Sequence, residues 1–247
     1  MLLFDGLVYL DVQKTGSTFV TAFLQACCRR PQVHYHQHDR LRRKLAPGAV
    51  GVISVREPAS QYLSLFRYGL DGKGGLYHRL KDHGVAEVYQ PTQEAFETFV
   101  EILLQPETAP LLHDSFEPVA RKFDMGMMTF RHLLLSLKWP LATLKRLPRD
   151  GLPTAYPRLR LWSEALRQEH LVADLQTLVA RHPDLFDLEA AQAFLAPRPR
   201  INRSDRGAGL STDLPAPLMA RLLQREDLIY RTFYPHLLPE GQADLTV

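Results

Sequence analysis

Lys14-Thr15-Gly16-Ser17-Thr18 sets a lysine, a glycine and three hydroxyl residues where the apolar run Val8-Tyr9-Leu10-Asp11-Val12 gives way to a helix-like stretch through Phe19, Val20 and Phe23. Glycine allows a sharp turn, and Ser17 and Thr18 suit the first exposed turn of a helix. The unpaired N–H groups of such a turn and the helix dipole attract negative charge, and the Lys14 ammonium adds a full positive charge. The chemistry is that of a cradle for a phosphate or sulfate. A second group of the same kind follows, because the apolar run Gly51-Val52-Ile53-Ser54-Val55 ends on Arg56, turns at Pro58 and enters a helical stretch carrying Ser64. Ser64 lies about two helical turns along, so a guanidinium fork and a hydroxyl can grip one phosphate. Between the two groups His34, His36 and His38 alternate. Period two would send all three to one face of a short strand and raises metal ligation, but no second ligand group of matching spacing accompanies them, and no metal is expected.

Two strand–turn–helix units in succession make an α/β protein, in which ligands collect at the carboxyl ends of the strands. The expected architecture is a three-layer sandwich, a central mostly parallel sheet flanked by helices. Residues 72–157 read as helices joined by irregular loops. Phe96, Phe99, Val100, Leu103 and Leu104 form an apolar stripe at helical spacing, a second amphipathic stretch runs from Phe130 to Leu147, and both are core by their periodicity. Tyr62, Phe66 and Tyr68 are likewise read as core on a helix face. Thr129 stands as an N-cap after Gly126, and Arg131 and His132 as helix-face residues that could otherwise face an acceptor. Leu147 to Pro153 is loop chemistry, Leu159 to Glu164 alternates like a strand, and a helix is predicted from about Arg167 to Ala180. Pro197 to Gly209 is a basic, glycine-bearing loop, followed by a terminal helix over Leu218–Tyr230.

A Walker phosphate loop has its lysine after the second glycine, whereas Lys14 precedes Gly16. Lys14-Thr15-Gly16-Ser17-Thr18 instead resembles the 5′-phosphosulfate loop of sulfotransferases that use 3′-phosphoadenosine 5′-phosphosulfate (PAPS). Arg56 followed by Ser64 resembles the 3′-phosphate motif of the same family, in the same order along the chain. The Asp227-Leu228 and Tyr230 pattern and the Asn202-Arg203-Ser204 loop resemble the family's carboxyl-terminal segments. The resemblance implies a P-loop NTPase-like sulfotransferase fold over residues 1–247 as one domain, with 72–157 a helical acceptor-side insertion. It implies sulfuryl transfer from PAPS to an acceptor hydroxyl, of a carbohydrate in first place and otherwise of a small molecule, by in-line displacement and without a metal. Lys14, Thr15, Gly16, Ser17, Thr18, Arg56, Ser64, Arg203, Ser204 and Arg206 would contact the nucleotide. His38, or else His36, would be the base, since a neutral imidazole can take the proton of a weakly nucleophilic hydroxyl. The alternatives are a P-loop kinase-like transferase and a non-catalytic polyanion-binding module built on Arg40 to Lys44.

The chain of 247 residues, with 45% hydrophobic and 23% charged residues, is ordinary globular composition for one α/β domain. A net charge of +3 is too mild to imply a nucleic-acid partner. The two cysteines, Cys27 and Cys28, are adjacent and offer no disulfide framework. With no signal-peptide pattern at the amino terminus, this favours a reducing cytoplasm. The apolar run at Leu133–Leu137 is cut by Arg131, Lys138 and Pro140, well short of the ~20 residues of a membrane helix.

Overall fold

The computed structural model describes residues 1–42, 44–196 and 209–239. In chain order the elements are β1 (Leu2–Phe4), β2 (Leu7–Leu10), α1 (Ser17–Cys27), β3 (Gln32–Tyr35), β4 (Val50–Val55) and α2 (Pro58–Leu70). Helices α3 (Gly75–Asp82), α4 (Gln93–Leu104), α5 (Ala109–Leu112), α6 (Phe116–Phe123), α7 (Met127–Ser136), α8 (Pro140–Arg146) and α9 (Leu152–Leu159) follow. The chain then adds β5 (Glu164–Arg167), α10 (Leu171–Arg181), α11 (Leu188–Leu195), α12 (Ala216–Arg225) and α13 (Asp227–Phe233). The chain divides into two compact units.

The first unit comprises Met1–Arg56, His132–Pro140 and Arg158–Ile201 and holds a five-stranded sheet in the order β3-β1-β2-β4-β5. The α/β class holds, but the sheet is mixed rather than mostly parallel. β2 and β4 pair in parallel, as do β4 and β5, while β1 runs antiparallel to both β2 and β3. The cause is local: Asp5-Gly6, between two apolar runs, forms a two-residue turn, the strongest short hairpin signal a sequence carries. It folds β1 back on β2, and β3 completes the edge. Leu2, Phe4, Leu7, Tyr9, Val52 and Leu166 pack against Val20, Phe23 and Leu24 of α1, Leu175 and Leu178 of α10 and Ala191 and Leu195 of α11. Strand alternation turns Leu3, Val8, Leu10, Ile53 and Val55 to the opposite face, and these are buried too. β2 and β4 therefore read as nearly continuous apolar runs, as strands buried on both faces must.

The strand expected at Leu159–Glu164 lies further on. Leu159 closes α9 and is 36% exposed, and the ladder with β4 begins only at Glu164, opposite Val52. Glu164 accepts from Arg181 and pairs with His182, both at 3.0 Å, tying β5 to the carboxyl end of α10. That helix starts at Leu171, after a tight turn over Gln168–His170.

The second unit, Glu57–Arg131, Leu141–Pro157 and Asn202–Val247, is helical in its described residues. α2 opens with Pro58 at its first position, and the Glu57 carboxylate caps it by accepting from the N–H groups of Ala59 (2.9 Å) and Ser60 (2.6 Å). Phe66 on α2 packs against Tyr89 and against Phe96 and Phe99 of α4, and the whole expected α4 stripe is buried. Tyr62 and Phe66 are core, whereas Tyr68 is 39% exposed, because it falls on the outer face of α2. The stretch from Phe130 to Leu147 is two helices, broken where Trp139 takes a φ of +51° and Pro140 starts anew. The terminal run is also two helices, α12 and α13, divided at Glu226. Thr129 is not an N-cap but lies inside the first turn of α7, where the buried Glu226 carboxylate takes its N–H and hydroxyl. No described helix is long and apolar enough to cross a membrane.

Candidate functional site

The cradle lies in the first unit, where β2 runs out. Lys14 has a φ of +64° and Gly16 of +82°, left-handed conformations that fold the chain from strand to helix within a few residues. Glycine carries that φ at little cost, and a Cβ at position 16 would lie 2.5 Å from Leu171 Cδ1. A side chain there would be strained by the dihedral and would require Leu171 to shift.

Beneath the turn a chain of hydroxyls fixes its shape. Thr15 Oγ1 donates to the Val12 carbonyl at 2.7 Å, so its remaining contact with Ser54 Oγ, 2.5 Å away, is as acceptor. Ser54 in turn takes the Tyr9 hydroxyl hydrogen across 2.7 Å. All three residues are buried, and burial pushes the Tyr9 phenol well above its usual range, which keeps it protonated as the head of this relay. The Thr15 side chain thus faces inward and leaves its backbone for the turn. Phe19 and Val20 donate their N–H groups to the Gly16 carbonyl, while among the described residues the N–H groups of Thr15, Gly16, Ser17 and Thr18 donate no hydrogen bond. Gly16, the N-cap of α1, supplies no side-chain bond, and the first turn holds no acid.

Arg56 is bonded to this turn, and His38 to Asp11, three residues ahead of Lys14. Arg56, one residue past β4 and half-buried, donates from Nη1 to the Lys14 carbonyl at 3.4 Å. His38 reaches Asp11, the residue after β2. Its backbone N–H lies 3.1 and 3.0 Å from the two Asp11 carboxylate oxygens, and its Nδ1 lies 2.7 Å from the Asp11 carbonyl. A carbonyl only accepts, so Nδ1 carries a hydrogen in this contact. The imidazole is 25% exposed, and Asp11 is buried, with the Met1 nitrogen 2.7 Å from its Oδ1.

Of the residues singled out in the sequence, Arg56 is therefore bonded to the turn of Lys14 to Thr18, while His38 is bonded to Asp11, three residues ahead of it. His36 is exposed, and its ring makes no hydrogen bond among the described residues. The three histidines do not share a strand face: only His34 lies in β3, and the φ of +55° at His38 breaks the alternation. Among the described residues no three His, Cys, Asp or Glu side chains gather as a metal site. Ser64 lies half-buried in α2, in the second unit. Arg203, Ser204 and Arg206 lie outside the described residues. Sequence reasoning missed Asp11, Tyr9 and Ser54, although a lone acid at the end of an apolar strand marked the first of them. Beside the cradle, Ser17, Thr18, Thr21, Ala22 and Gln25 of α1 with Tyr35 and Gln37 line a groove of about 270 Å³ that carries no charged side chain. No family model, no curated protein and no solved structure matches this chain.

Proposed function

We propose that the protein is a PAPS-dependent sulfotransferase that moves a sulfuryl group to an acceptor hydroxyl, with a carbohydrate as the favoured acceptor. The observation that carries the reading is the run of four consecutive N–H groups, Thr15 to Thr18, without a partner among the described residues, beside Lys14 and an arginine held on the Lys14 carbonyl. Such a nest binds a tetrahedral anion. That the ligand is a nucleotide with phosphates at two places comes from the resemblance, with Arg56, one residue past the neighbouring parallel strand, as the second cation.

PAPS supplies the activated sulfuryl group. The backbone of Thr15 to Thr18 holds the 5′-phosphate, and Lys14 neutralises charge at the leaving oxygen. Arg56 holds the 3′-phosphate. His38 accepts the acceptor proton at Nε2 while Asp11 keeps Nδ1 protonated and the ring in place. Positioning and charge stabilisation do most of the work in a loose transfer of this kind.

The test is thermal stabilisation by 3′,5′-phosphoadenosine against ADP and ATP. A ligand at 100 times its Kd adds ~2.7 kcal/mol of stability, so 3′,5′-phosphoadenosine should raise Tm by several degrees and ADP by less. Arg56→Ala should erase the difference between the two. Stabilisation by ATP with Mg²⁺ alone would replace this reading with a kinase.

A further inference from the structure

In the first unit β2, β4 and β5 are parallel neighbours, so their carboxyl ends open toward the same end of the sheet. Val55 of β4 stands opposite Arg167 of β5. One position further along, Arg56 and Gln168 therefore leave adjacent strands at the same level. Arg56 is bonded to the Lys14 carbonyl, and Gln168 meets the same turn at Gly16, where a Cβ would lie 3.5 Å from Gln168 Cγ. Gln168 is half-buried, and its carboxamide makes no hydrogen bond among the described residues. Its neighbour Arg167 is turned to α10, where the Asp174 carboxylate takes its Nε at 3.1 Å and its Nη2 at 2.8 Å and offsets its charge. The same carboxylate takes the Arg167 N–H at 2.8 Å, which fixes the end of β5 from which Gln168 follows.

We propose that Gln168 is a further ligand-binding side chain of the cradle, its amide donating to an oxygen of the 5′-phosphate that the Thr15 to Thr18 backbone holds. The inference rests on the sulfotransferase reading for the identity of that anion, whereas the place of Gln168 against the turn does not depend on it. A carboxamide brings two N–H donors and no charge, and a hydrogen bond to an ionised acceptor is roughly twice as strong as one between neutral groups. Lys14 and Arg56 already supply positive charge. A neutral donor beside them covers another phosphate oxygen without adding to the attraction for every polyanion, so it favours an anion of the right shape over one of merely high charge. A half-buried amide has also given up part of its water, and a bound oxyanion restores the hydrogen bonds it lacks.

The experiment titrates the full chain, as wild type, Gln168→Met and Gln168→Glu, with 3′,5′-phosphoadenosine, with adenosine 3′-phosphate, which lacks the 5′-phosphate, and with inorganic pyrophosphate. Gln168→Met keeps the length of the side chain and removes its donors. It should weaken 3′,5′-phosphoadenosine by about tenfold, the worth of a hydrogen bond to a charged group, and leave adenosine 3′-phosphate unchanged. Gln168→Glu sets a carboxylate against the phosphate oxygens and should weaken 3′,5′-phosphoadenosine further. A glutamine that only packs against the turn would give equal losses for the two nucleotides in Gln168→Met. That result, or wild-type affinity for 3′,5′-phosphoadenosine in both variants, would overturn the proposal. Pyrophosphate binding that depends on Gln168 in the same way, in a protein that ignores 3′,5′-phosphoadenosine, would keep the contact and remove the sulfotransferase reading. A wild type that binds none of the three would overturn both.

Discussion

Asp11 and His38 make the most demanding statement at the level of single residues. A histidine held by Nδ1 on a carbonyl, with its own N–H on a buried carboxylate, has one tautomer and one orientation, and its other nitrogen is left for chemistry. On the sulfotransferase proposal, His38→Gln should lower sulfuryl transfer by ~10²–10⁴-fold while 3′,5′-phosphoadenosine still stabilises the protein. Transfer within a few-fold of wild type would remove His38 from the reaction. Lys14 and Arg56 were legible because each sits in a contiguous strand–turn–helix string whose chemistry is local. Asp11 was not, since the His38 backbone it holds lies 27 positions away in sequence.

Among the elements, α7 depends on a residue from another helix boundary. Glu226, fully buried, accepts from the Tyr62 hydroxyl (2.6 Å), from the N–H groups of Met128 (3.1 Å) and Thr129 (2.7 Å), and from the Thr129 hydroxyl (2.6 Å). Burial pushes its carboxyl above the usual range, and these four donors pull it back. Gly126 is required beside it, since a Cβ there would lie 2.1 Å from Glu226 Oε1. Glu226→Gln puts an amide donor where only acceptors fit and should cost about 2–4 kcal/mol, measured as a lower denaturant midpoint with unchanged slope. Tyr62→Phe removes one donor of four and should cost about 1 kcal/mol. A Glu226→Gln protein as stable as wild type would mean that the α7 N–H groups find other partners. The sequence window over Leu218–Tyr230 is uniformly helical, so the break at Glu226 was invisible; what makes it is a cap delivered over nearly a hundred residues. The Asp5-Gly6 hairpin, by contrast, was written in two adjacent residues and makes the sheet mixed.

Across the whole molecule, the α/β class followed from two strand-to-helix units, but which polar side chains are sealed inside depends on contacts that no local pattern carries. His132 is such a case: it reads as a helix-face residue, yet it is 2% exposed, and burial pushes its imidazole down to about 3. Between that value and the ordinary imidazole range near 6.5 the unfolded chain takes up a proton that the folded protein refuses. The sign follows: the stabilising contribution is complete above about pH 6.5 and is lost as pH falls toward 3, by up to ~1.4 kcal/mol per pH unit. Glu226 acts the other way, because a raised carboxyl holds its proton longer in the folded state and so loses stability as pH rises through its folded range. The two effects partly mask each other in the wild type, so the informative quantity is the difference from a variant lacking only the imidazole. Denaturant unfolding of wild type and His132→Gln at intervals from pH 7 to pH 4 should show the wild type losing ground on the variant at every step below about pH 6.5. A difference that stays constant over that range would mean that His132 is protonated inside the fold, with a counter-charge to hold it there.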